Sequence, residues 1–175
     1  GVPPVAAEKH DGRLGWVTKR PRLGFGRLGG PLPGQAVVET KYWPAAEIER
    51  QCQAVWSRPV SANTTGNSVQ FSTTALAPSS NTIPTINTAI NTLEPGCDQR
   101  PHRHNGAAVT LAIQGEGIHS LIDGKRVDWS TGAAQITPAT MLHSHHSRGP
   151  QRMGSFVIQD GGLHHYTRTP GISFE

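Results

Sequence analysis

The chain has 175 residues, 16% of them charged, with 20 glycines, 14 prolines and a net charge of +4. That length suits one sizeable core, and the Gly/Pro content favours turns and short strands over long helices. No apolar run reaches the ~18 residues of a membrane span, and Cys52 and Cys97 do not make a disulfide framework. No stretch reads as a secretory leader, so a soluble cytoplasmic protein is expected.

The basic excess lies in residues 1–60, which hold nine Lys/Arg against five Asp/Glu. Without interleaved aromatics or a known motif, this basicity reads as a solvated arm rather than a nucleic-acid surface. Residues 1–40 show no sustained period. Their run Gly24–Gly34 marks an extended arm, and Leu14, Trp16, Leu23, Phe25, Leu28 and Leu32 give it enough apolar surface to pack across a subunit boundary. A homo-oligomer is therefore expected. Pro44 to Trp56 reads as a helix: Pro44 suits the first turn, Glu47 and Glu49 the N-terminal end, and Ile48, Cys52, Val55 and Trp56 share one face.

From residue 61 the pattern is that of strands, expected at Ser68–Leu76, Ile86–Leu93, Val109–Gln114, Ile118–Ile122, Lys125–Trp129, Ala133–Thr137, Met141–His145 and Met153–Gln159. Asp123-Gly124 between two of them signals a tight hairpin. About eight short strands at regular spacing imply a closed or sandwiched antiparallel domain over residues 61–175, preceded by an arm-plus-helix segment over residues 1–60.

Eight of the nine histidines lie between His102 and His165. Neutral imidazole binds metal readily near pH 7. Alternate residues of a strand share a face, so His102 and His104 can offer two nitrogens to one ion while Arg103 faces away. A neighbouring strand would supply a third ligand, for which His143 is the candidate.

The spacing Gly96-x5-His102-x-His104, followed by Gly115 and Gly117, resembles the first cupin motif. Gly132-x5-Pro138-x4-His143 resembles the second. The resemblance implies an all-β double-stranded β-helix (jelly-roll) barrel with a metal in its mouth. Pro95-Gly96, His102-Arg103-His104, Gly115-Glu116-Gly117, Ile122-Asp123-Gly124, Thr137-Pro138 and His143-Ser144-His145 are most similar to the iron-binding half of gentisate, salicylate and 1-hydroxy-2-naphthoate dioxygenases. The usual cupin glutamate ligand would fall near Ala108 or Val109, where there is no carboxylate, so the implied ligand set is His102, His104 and His143.

That family implies Fe(II), with Zn, Mn, Ni or Cu as alternatives, and dioxygen plus an aromatic hydroxy acid as reactants. His145 is then the candidate catalytic residue, as general base or as an orienting group. Asp160-Gly161-Gly162-Leu163 resembles the family's segment that borders the pocket, His164 and His165 just beyond it are candidates for the mouth, and Gln114 and Arg152 are candidates for the barrel lining. Three departures bear on the substrate: Thr110, Leu142 and Ala133 stand where the family usually has arginine, tryptophan and aspartate. Two other readings remain open: a metal-dependent cupin isomerase, lyase or other oxygenase acting on a small polar acid, and a non-catalytic binding cupin.

Overall fold

The computed structural model describes residues 32, 34–36, 38–59, 65–169 and 171–175, so the arm assigned to residues 1–40 lies mostly outside the described residues. Gly1–Ala36 and Val37–Glu175 form two separate compact units. In the first, the described residues make a turn in which the Gln35 amide donates to the Leu32 carbonyl. The second holds the helix together with the barrel strands.

Helix α1 spans Ala45–Trp56 with Pro44 at its N-cap, where a missing N–H costs nothing. Its apolar face buries Cys52 and packs against the first strand. Among the described residues ten strands follow: β1 (Asn67–Phe71), β2 (Asn87–Leu93), β3 (His102–His104), β4 (Ala108–Gln114), β5 (Ile118–Ile122), β6 (Lys125–Asp128), β7 (Ala134–Thr137), β8 (His143–Ser147), β9 (Met153–Gln159) and β10 (Ile172–Phe174). A short helix α2 (Gly162–Tyr166) precedes β10. Among the described residues, no helix is long and apolar enough to cross a membrane.

The strands form two five-stranded antiparallel sheets, ordered β1-β2-β9-β4-β7 and β10-β3-β8-β5-β6. This is the jelly-roll arrangement the motifs implied. Alternation sends Leu93, Ile118 and Met153 inward as an apolar cluster, with Trp129 packed against it. Burying each such side chain contributes roughly 1.5–3 kcal/mol. The β5–β6 hairpin turns on Asp123 (φ 50°) and Gly124 (φ 74°), the two positive values a type I′ turn needs.

Three elements differ from the sequence expectation. The first strand ends at Phe71 rather than Leu76, because Thr74–Ser79 coil into a 3-10 turn that buries Leu76. Pro78, lacking an N–H, fits that turn better than a ladder. The eighth strand starts at His143 rather than Met141: Met141 is 37% exposed, and the apolar pair Met141-Leu142 leads into the strand without joining it. Strand β10 was not expected. It pairs Ile172 with His104 and Phe174 with His102, covering the edge of β3 from about seventy residues away.

Candidate metal centre

β3 and β8 are neighbours, with His102 directly opposite His143. His104 lies two residues along on the same face. The result is a cluster of three rings, with centroids 4.1 Å apart for His102–His143, 4.6 Å for His104–His143 and 5.8 Å for His102–His104. One nitrogen from each lies within 4.8 Å of the others. The sequence candidates for a ligand triad are thus brought together.

The other ring nitrogens define the tautomers. His102 Nδ1 donates to the Arg100 carbonyl at 3.0 Å, His104 Nδ1 to the Gly106 carbonyl at 2.5 Å, and His143 Nδ1 to the Met141 carbonyl at 3.0 Å. A carbonyl can only accept, so each Nδ1 carries the proton and each Nε2 keeps a lone pair. Burial lowers all three pKa values, His143 to about 4, so the rings are uncharged at neutral pH. Three mutually close lone pairs with no proton among them repel unless a cation sits between them. The donor set therefore fits a divalent metal, and three imidazoles suit iron, zinc, copper or nickel.

His145 is fully inside the barrel, two residues beyond His143, with the two ring centroids 5.9 Å apart. Burial, reinforced by the neighbouring rings, lowers its pKa to about 3. Its Nδ1 lies 2.8 Å from Ser120 Oγ, which accepts from Trp129 Nε1 at 2.7 Å and is paired with the Gln135 amide. Ser120 is fully buried. None of these three partners stood out in the sequence; the only signal was the inward register of β5 opposite β8.

The histidines open into a cavity of about 320 Å³. Its walls also carry Asn91, Gln99, Thr110, Gln159 and, from α2, His164 and His165. Among the described residues that line it there is no Lys, Arg, Asp or Glu. Gln99 has a scaffolding role: its Oε1 accepts from the His145 backbone N–H at 3.2 Å, and its Nε2 donates to the Thr65 carbonyl.

The remaining sequence candidates are spread over the barrel. Gln114, at the far end of β4, does not line this cavity, and Arg152 pairs with Glu94 and lies over the Trp56 ring. Asp160 Oδ1 accepts from the Ala107 N–H at 2.8 Å and so fixes the loop that carries the Gly106 carbonyl. His164 is among the residues that line the cavity.

Residues 89–158, which span β2 to most of β9, match the Cupin domain family. The chain is 31% identical over 74 residues to a gentisate 1,2-dioxygenase of Ralstonia sp, covering 42% of this chain and 21% of that protein. It is 36% identical over 62 residues to a gentisate 1,2-dioxygenase of Streptomyces sp, covering 35% of this chain and 17% of that protein. Salicylate 1,2-dioxygenase of Pseudoaminobacter salicylatoxidans, in its adducts with gentisate, superposes at a TM-score of 0.75 and 18% identity over 97% of this chain and 49% of that one. At that identity the likeness is one of fold. The chain spans about half the length of the salicylate enzyme, and the aligned part takes in about a fifth of each gentisate enzyme.

Proposed function

We propose that this barrel is the metal-bearing unit of a non-haem Fe(II) dioxygenase that cleaves the ring of an aromatic hydroxy acid. The observation that carries the reading is the triad of neutral histidines, each with Nδ1 held by a carbonyl and Nε2 free. Its likeness to gentisate dioxygenases adds the reaction class. A ferrous ion held by His102, His104 and His143 would supply Lewis-acid and redox chemistry to a chelating substrate and dioxygen.

The chain's own groups do the rest. The three backbone carbonyls keep the imidazoles turned toward one point. His145, uncharged down to about pH 3, is too weak a base to carry a proton away at neutral pH. We assign it to orient the substrate's phenolic oxygen through a hydrogen bond. Thr110, Asn91 and Gln159 offer neutral hydrogen bonds to the rest of the substrate, and His164 and His165 stand at the wall formed by α2.

One observation favours a second reading. Without a Lys or Arg in the described lining, the carboxylate of an aromatic acid gains no fixed countercharge from the protein, which favours a ligand small enough for the metal alone to neutralise it, turned over by isomerisation, elimination or another oxygenation, or only bound. The two readings separate on oxygen uptake by Fe(II)-reconstituted protein offered hydroxybenzoates and hydroxynaphthoates. Uptake on any of them is the expected result. Turnover indifferent to oxygen and supported equally by other divalent ions favours the alternative enzyme, and tight metal retention without turnover favours the binding protein. We also infer a homo-oligomer, which a solution mass of one 18.7 kDa chain would contradict.

A further inference from the structure

The two sheets differ in charge. No residue of β1, β2, β9, β4 or β7 is Asp, Glu, Lys, Arg or His, whereas the other sheet carries Arg103, Lys125, Arg126 and Asp128 besides its histidines. The inner positions of the uncharged sheet face the barrel: Thr110 lines the histidine cavity, and Ala108 and Ala112 are buried. Its outer positions are apolar as well. Across β9, β4 and β7 they form two rows, Phe156–Leu111–Ala134 and Ile158–Val109–Ile136, with Ile113 further along β4 on the same face.

At the β1 end this face is closed. Phe71, which continues the second row through Thr88, is buried, with the Trp43 ring 5.3 Å away. At the β7 end it is open. Val109 is 42% exposed, Ile113 49% and Ile136 65%, and Leu111, Phe156 and Ile158 are only half-buried. Three strands about 4.8 Å apart and ~24 Å long make roughly 350 Å² of flat apolar sheet. Contiguous apolar surface of that order marks an interaction site, and it suits the core of an interface that buries about 800 Å² per partner with its polar rim.

The absence of charge selects the partner. In a two-fold contact a patch meets itself, so a charge on it would be buried near its own kind. A face built for a different protein could use charge to steer and select it. Here charge is excluded from every strand position of the sheet, which is what self-contact requires. We propose that the outer face of β9, β4 and β7 is the contact between two copies of the chain, packed sheet on sheet about a two-fold axis. Such faces lie about 10 Å apart, with their strands within about 30° of each other. The contact depends on neither the metal nor the dioxygenase reading.

The test is analytical ultracentrifugation of the full chain from about 1 to 100 µM, where dimers of moderate affinity dissociate. The unmodified protein is expected at twice its 18.7 kDa. Val109→Lys buries an ammonium near its counterpart and is expected to weaken the dimer at least about tenfold, with metal content unchanged. Ile136→Lys serves if that variant fails to fold. Val127→Lys, at a similarly exposed position (37%) on the other sheet, is expected to leave the mass unchanged. An unmodified protein that sediments as one chain throughout the range overturns the contact and leaves the face to a different partner. A Val109→Lys variant that keeps the unmodified protein's mass also overturns it, and assigns assembly to another surface such as the arm of residues 1–40. Equal weakening by Val127→Lys overturns the placing of the contact on this sheet.

Discussion

The sheet that carries the metal centre presents histidines on both of its faces, and the two groups have opposite chemistry. On the inner face, His102, His104 and His143 each give one nitrogen to a carbonyl and keep the other free. On the outer face, His146 has both nitrogens engaged, Nδ1 with Asp98 at 2.7 Å and Nε2 with Ser144 Oγ at 2.8 Å. Its ring stacks on His119 at 4.7 Å and 15°, and Arg148 shares the same carboxylate. The Asp98 carboxyl loses solvation there, yet the bonds from His146 and Arg148 hold it below the usual range. Residues 143 and 146 are three apart on one strand. What makes one a ligand and the other a structural group is the partner of Nδ1 and whether Nε2 is left open.

The largest contrast should appear in metal affinity. His102→Ala removes one of three ligands and should weaken binding by more than about 100-fold, while the apolar end of the barrel keeps the fold. Calorimetric titration with Zn(II) reads this, and an affinity within about tenfold of the unmodified protein would count against the triad.

Both faces hang on the β5–β8 ladder, which Gly117 starts at φ +70°. A methyl group there would meet the Gly149 backbone at 2.5 Å. Gly117→Ala should therefore cost about 3 kcal/mol, on the order of 10 °C in Tm. A loss under about 1 kcal/mol would show that the loop yields.

Ser120→Ala leaves His145 Nδ1, Trp129 Nε1 and Gln135 without their shared partner, and should cost about 2 kcal/mol by denaturant titration. Ser120→Thr, which keeps the hydroxyl, should recover part of it.

Acid separates the faces differently. The His143 ring titrates near 4 in the folded protein against an ordinary 6.5, and His145 near 3. Between pH 6.5 and 4 the unfolded chain takes up protons that the folded chain refuses. Stability of the metal-free protein is thus full above pH 6.5 and falls on acidification, by up to about 1.4 kcal/mol per pH unit for each ring. A stability flat from pH 6.5 to 4.5 would contradict the buried neutral rings. The smallest effect belongs to the outer face: Asp98→Asn weakens a half-exposed ion pair, and should cost under about 1 kcal/mol with metal affinity unchanged.

Helix α1, the Asp123-Gly124 hairpin and the shared face of His102 and His104 were legible in the sequence because each is local, set by caps, turn chemistry or the two-residue period of a strand. The third ligand was legible through motif spacing. Strand β10 was not, since its three residues carry almost no pattern and gain their place only from pairing with β3. The Ser120–His145 bond was equally hidden, because it depends on the β5–β8 register rather than on either strand alone. Gln114 and Arg152 read as candidates from residue type; in the fold Arg152 pairs with Glu94 and lies over the Trp56 ring, and Gln114 is not among the residues lining the histidine cavity.

The most direct test is elemental analysis of the purified protein beside two variants, His143→Ala and His146→Ala. The account predicts about one divalent metal per chain in the unmodified protein and in His146→Ala, and almost none in His143→Ala. A metal-free unmodified protein, or a His143→Ala variant that keeps its full metal, would contradict it.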